Sequence, residues 1–317
     1  MSTRIFLLLL MLCGGAHAST DVDAGKAPAA TDLRQAIEQA RTRANTPFTL
    51  EVHCTDRQAR RALRIYPDGV AVWNNDLQLS PSWALRAELL GLLLQHDFPA
   101  FAERYGETGE SDLMDGALRV SCRVFLAIDG LHKSSVQFYD GPQEAKLLNL
   151  AGALLDRVQP LTTAGTRVRS LGDGIAKLAS GKLDPQLMTL RYVVLPVRGG
   201  QPGSIVRLSD GRLSRQGYAP GHEIGDISEA PMRACRFHEL LTAIATADIS
   251  RLPLNLWSEN RIQLEVAVLN HRKAIVARPF ARLKPSRSSP AQQRFAALLS
   301  KLDALASGAN PDCDTEN

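Results

Sequence analysis

The sequence predicts an α+β fold of two related units, each an antiparallel sheet with helices on one face, in the order α-β-β-α-β-β-α. Three observations predict it. Several short segments alternate apolar and polar residues with period two, the pattern of a half-buried strand. Tight turns carrying Asp, Asn and Gly join such segments into hairpins, and hairpins make antiparallel neighbours. The same succession of elements then returns about 140 residues later, from the turn at Asp68 to that at Asp210 and from Asp129 to Asn270. A single merged domain is the rival arrangement.

The chain opens with a basic Arg4, an apolar run from Ile5 to Cys13, and the small-residue pattern Ala16-His17-Ala18. That order predicts a secretory signal peptide at 1–18, because the run is too short to span a bilayer. The rival reading lipidates Cys13, against which Leu12 is too large for the preceding position. Residues 19–30 are small and polar and are read as a flexible start. The first unit is placed at 31–160, a linker at 161–170, the second unit at 171–307 and a polar tail at 308–317.

In the first unit a helix is expected from Asp32, with Thr31 as its N-cap. Phe48, Leu50, Val52 and Cys54 then share one side of a strand. Leu63 and Ile65 lead into Tyr66-Pro67-Asp68-Gly69, and Val70 and Val72 lead out. This is a hairpin rather than a phosphate loop, since one glycine and no following Lys-Ser/Thr cannot cradle a phosphate. Ser80-Pro81 is read as a helix start, and Leu85, Leu89, Leu92 and Leu93 as its stripe. After Phe98 and Phe101, a strand carries Leu118, Val120, Cys122, Val124, Leu126 and Ile128 on one parity. Asp129-Gly130 turns it back, and Pro142 opens a closing helix with Leu147, Leu154 and Val158 on one face.

The second unit repeats the plan. A helix over 172–180 precedes a strand with Leu190, Tyr192 and Val194 on one face. Asp210-Gly211 turns the next hairpin, and a helix with Phe237, Leu240, Leu241 and Ile244 follows. Ile262, Leu264, Val266 and Val268 alternate, Asn270-His271 turns, and Pro290 opens the last helix. Residues 217–234 depart from the plan and read as a long loop.

The run Tyr66, Asp68, Gly69, then Leu89-Leu90, then Phe98 and Phe101, resembles that of uncharacterised bacterial secreted proteins and lipoproteins. The resemblance covers the first unit and the second in outline, where Leu208-Ser209 replaces Tyr66-Pro67. It implies a fold and a compartment, and it brings no catalytic residues.

Beyond Cys13 the chain has Cys54, Cys122, Cys235 and Cys313, and an even count in an exported chain predicts two disulfides. Cys54 and Cys122 both face inward on strands of the first unit and are read as one bridge, or else as small buried hydrophobes. Cys235 with Cys313 would pin the tail, although spacing alone leaves three pairings open. No C-x-x-C occurs, and His238-Glu239 lacks the second histidine of a zinc helix, so neither metal nor cofactor is expected. His53 on a polar strand face and His96-Asp97 at a helix end are read as structural. Trp73 is read as an interface anchor or as covered by a neighbouring helix.

The motifs of serine hydrolases (G-x-S-x-G), of penicillin-interactive enzymes (S-x-x-K) and of dinucleotide folds do not occur. The net charge of +4 is scattered, with Arg282–Arg287 as its one cluster, so no nucleic-acid partner is expected. The expected role is therefore a non-enzymatic exported protein that binds another macromolecule, such as a protein of the envelope, through exposed sheet faces or loops. The alternative is a hydrolase or small-ligand enzyme with a site between the units. For that site the 217–234 segment offers Tyr218, His222, Glu223, Asp226 and Glu229.

Overall fold

The computed structural model describes residues 30–44, 46–55, 60–105, 120–138, 144–195, 203–218, 227–258, 260–278 and 289–307. The first unit runs α1 (Ala30–Thr42), β1 (Phe48–Thr55), β2 (Arg60–Ile65), β3 (Ala71–Trp73), β4 (Leu77–Leu79), α2 (Trp83–Gln95), β5 (Arg104–Tyr105), β6 (Val120–Ile128), β7 (Leu131–Phe138) and α3 (Ala145–Val158). A short β8 (Thr166–Arg167) lies in the connection. The second runs α4 (Leu171–Ala179), β9 (Met188–Leu195), β10 (Gly203–Ser209), β11 (Arg212–Tyr218), β12 (Ser228–Pro231), α5 (Ala234–Ala247), β13 (Asn255–Trp257), β14 (Arg261–Val268), β15 (His271–Arg278) and α6 (Pro290–Ser307).

The repeat holds at the level of strand order. The first sheet is ordered β5-β7-β6-β1-β2-β3-β4-β8, and the second β13-β15-β14-β9-β10-β11-β12. Leaving β8 aside, the two orders are the same. Each sheet is antiparallel except for one short parallel edge pair, β5 with β7 and β13 with β15. Both are therefore mixed sheets, with more strands than the expected plan of two hairpins per unit. Of the added strands, β4, β5, β12 and β13 are two to four residues long and lie toward the sheet edges, too short for a period to register.

Buried apolar side chains fall into two clusters. In the first, Leu50 and Val52 of β1 and Val124 and Leu126 of β6 meet Ile37 of α1, Leu89 of α2 and Leu154 of α3. In the second, Leu190, Tyr192, Val206 and Leu264 meet Ile175 of α4, Ile244 of α5 and Phe295 and Leu302 of α6. Tyr192 is fully buried, and its hydroxyl donates to Asp303 Oδ1 at 2.6 Å, so burial and that bond push its pKa up. Trp73 is buried in the first cluster.

Several boundaries differ from the expected ones. Thr31 lies inside α1. The cap of α2 is Ser82, whose Oγ accepts from the Leu85 N–H at 3.3 Å, and not Ser80. Pro81 is thus outside the helix. The turn before β15 is Leu269-Asn270, with Leu269 at φ 56, so His271 begins the returning strand. Residues 217–218 end β11, and Ser228–Pro231 pairs with β11 as the counterpart of β4. The segment read as an unplanned loop is therefore strand at both described ends. Its sequence hid this because β12 is an exposed edge without alternation, where a proline is tolerated. Residues 1–29, the Pro142 helix start, Leu118, the 282–287 cluster and the 308–317 tail lie outside the described residues.

The hairpin turn at 66–70 does more than reverse the chain. Tyr66 and Val70 pack against the second cluster, and Val72 belongs to it. Gly69 takes φ +95, and a Cβ there would stand 2.4 Å from Nη1 of Arg86. Arg86 is 8% exposed, stacks over Phe48 and Trp83, and has Nε and Nη2 buried without a hydrogen-bond partner. Burial lowers its pKa against the opposing pull of Asp68. A buried, unpaired guanidinium costs more in lost hydration than its ring contacts return. Arg86→Met keeps the packing and removes the charge, so it should raise the unfolding free energy by roughly 1–2 kcal/mol. Urea denaturation would check this, and a lower midpoint would refute it.

Candidate functional site: the open sheet faces and the seam

In each unit the helices lie on one face of the sheet, which leaves the alternate residues of the strands on the other. On unit one this open face places His53 of β1 between Ala62 of β2 and Arg123 of β6. Arg60 Nε donates to His53 Nε2 at 3.0 Å, so the imidazole acts there as a neutral acceptor. Burial, then Arg60 and Arg123, lower the His53 pKa. The neighbouring row is Arg64, Glu51 and Phe125. Arg64 Nε lies 3.2 Å from Glu51 Oε1, with its guanidinium over the Tyr66 ring, and Arg123 stands over Phe125. Charges on this face are largely internally answered.

Unit two differs. Its open face carries exposed Arg191, Arg207, Arg261, Arg272 and Arg278 on the four central strands, with Glu265 as the carboxylate among them. At the edge Arg212 pairs with Glu229. No aromatic side chain stands on this face of β10, β9, β14 or β15 among the described residues.

The seam between the units joins the apolar packing of Tyr66, Val70 and Val72 to polar contacts, most of them involving a backbone group. The Asn270 N–H donates to the Asn75 carbonyl at 3.0 Å, and the Val168 N–H to that of Asp76 at 2.8 Å. His271 Nε2 donates to the Val168 carbonyl at 3.0 Å. Gln186 Nε2 donates to Asp68, and the Asp184 N–H to Gln78 Oε1 at 2.9 Å. Beside these contacts a cavity of about 390 Å³ is lined by Gln78, Leu183, Asp184, Phe237, His238 and Leu241. Burial raises the Asp184 pKa, opposed by the bond from the Gln186 N–H. Among the described residues the lining supplies no serine or cysteine nucleophile, and the Gln78 oxygen and the Asp184 carboxylate are both engaged by backbone N–H groups. Those described residues do not make a nucleophile–base set.

A second cavity of about 270 Å³ lies at the end of β11, lined by Ser204, Arg215, Gln216, Gly217, Ser228 and Ser307. Burial and the nearby Arg236 lower the Arg215 pKa. Of the residues expected to form a site here, Tyr218 ends β11 opposite Gly203, and Glu229 pairs with Arg212. His222, Glu223 and Asp226 lie outside the described residues. No group of three or more metal-ligating side chains occurs among the described residues.

Cys54 and Cys122 face each other directly across β1 and β6 and form a disulfide, with 4.1 Å between Cα atoms. Cys235 at the start of α5 is also disulfide-bonded, while its expected partner Cys313 lies outside the described residues.

Sequence reasoning missed the arginines of the open faces. A signal was present: Thr49-Leu50-Glu51 and Thr189-Leu190-Arg191 occupy the same place in the two repeats and differ in the sign of one charge. No protein-family model matches the chain, and no curated protein matches it in sequence.

Proposed function

We propose that the chain is an exported, non-enzymatic protein that binds another protein of the cell envelope through its open sheet faces. The observation that carries this reading is the exposed arginine surface of unit two, with Arg191, Arg207, Arg261, Arg272 and Arg278 set against Glu265. A broad surface of mostly one sign steers and selects an oppositely charged partner without needing a deep pocket. Export is supported by the disulfides, which persist in oxidising compartments. No helix among the described residues is long and apolar enough to cross a membrane.

Immobilised protein incubated with periplasmic extract should retain an acidic protein reproducibly and release it as salt rises. Retention should fall when Arg191, Arg207 and Arg272 are replaced together by alanine. Failure to retain any protein at low ionic strength, or equal retention by the triple variant, would overturn the reading.

A further inference from the structure

The two units can be laid over each other by their core registers, and one row of the open face then differs in charge. Leu50 pairs with Ile65 and Leu126 in unit one, as Leu190 pairs with Leu208 and Val266 in unit two. One residue further along, the row reads Arg64, Glu51, Phe125 in unit one and Arg207, Arg191, Glu265 in unit two. Unit one thus answers its arginine with Glu51 at 3.2 Å. Unit two has an arginine where Glu51 stands, so Arg191 and Arg207 are directly opposed across neighbouring strands. Like charges in that relation destabilise a sheet.

Both side chains are exposed, and neither has a hydrogen bond or ion pair among the described residues. Glu265, the other neighbour of Arg191, has its carboxylate 4.0 Å from Arg272 Nη1. The sister unit shows that the cost is avoidable in this fold. A bound anion would turn the repulsion into attraction.

The geometry points to a carboxylate-binding site formed by Arg191 and Arg207, which receives an acidic segment of a protein partner. This rests on the binding role proposed above and gives that role its contact point. Guanidinium forks match carboxylates, each able to take one in two parallel bonds. Glu265 at the end of the row repels a dense polyanion, and the absence of aromatic platforms on the central strands disfavours stacked bases. In the adjoining row Ile205 and Val276 are half-buried on either side of the buried Val193, and they add a small apolar shoulder beside the arginines.

The test uses the full chain, a labelled peptide with two glutamates among valines and serines, and vesicles of phosphatidylglycerol as a second probe. R191E rebuilds in unit two the Arg–Glu pair of unit one, so it should raise Tm while weakening peptide binding by roughly tenfold or more, about 1.4 kcal/mol per factor of ten. R207E should weaken binding similarly. R64E, on the other unit, should lower Tm and leave peptide affinity unchanged.

Peptide binding that R191E and R207E leave intact would overturn this site, while the proposed binding role would stand with its contacts elsewhere. Binding to vesicles but not to peptide would overturn it in favour of a lipid surface, and binding to neither would overturn it outright. The binding role itself is judged separately, by capture from extract on the unaltered chain.

Discussion

Replacing Cys54 and Cys122 together by alanine is expected to lower the unfolding free energy by about 4 kcal/mol, measured by denaturant titration with and without a reductant. The bridge joins residues 68 apart in sequence, and releasing a loop of that length returns roughly 4 kcal/mol of chain entropy to the unfolded state. The position adds to the effect. Cys122 is fully buried in β6, and the bond ties β1, at the middle of the sheet, to a strand that enters the chain much later. Reduction should act on the unaltered protein in the same direction and move the double variant less, through the bridge of Cys235 alone. A midpoint insensitive to reduction would show that unit one holds its sheet without the bridge.

Val72→Asp is expected to cost about 3 kcal/mol, because it buries a carboxylate among apolar side chains, while Arg64 opposite it on β2 is already paired with Glu51. Val72 is 4% exposed, and although it belongs to β3 its side chain packs into the cluster of unit two. The substitution therefore attacks the seam and spares the first core, since Ala71 and Trp73 on either side point the other way into that core. Beyond a lower midpoint, the variant should show faster proteolysis in the 161–170 connection, which the seam contacts of Asp76 and Val168 hold down. Loss of stability without new cleavage there would mean that the units stay docked and that the cost is local. An unchanged midpoint would refute the packing itself.

These two effects divide along what a local pattern can and cannot express. The alternation of Phe48, Leu50 and Val52, or of Ile262, Leu264 and Val266, reports that one side of a strand meets a core, and each strand lies where that pattern puts it. The pairing of Cys54 with Cys122 was legible for the same reason, because both fell on inward parities of strands in one unit. Helix stripes read well in outline, although in α2 Arg86 and Leu90 are buried while Leu85 and Leu92 are only half-buried. Nothing in the spacing of a charged residue announces that a turn from another part of the chain will cover it.

The candidate surface was half legible. The comparison of Glu51 with Arg191 needed only the repeat, but its meaning needed the register. Arg191 and Arg207 are opposed because β9 and β10 pair in one particular alignment, and a slip by one residue would send them to the core face. The residues expected in the 217–234 segment were chosen because they departed from the plan. The structure returns part of that segment to the plan as β12.

What this sequence determined by itself was the class of fold, the duplication, the hairpin turns and one disulfide, all of which follow from periodicities and turn chemistry spanning a few residues. Only the tertiary structure decided which strands are neighbours, that the turn at Tyr66–Val70 docks on the second unit, and that two arginines face each other on an open sheet. Those outcomes depend on contacts between residues far apart in the chain. Their energy comes from burying shared surface and matching hydrogen bonds across strands, and neither exists until both partners are in place.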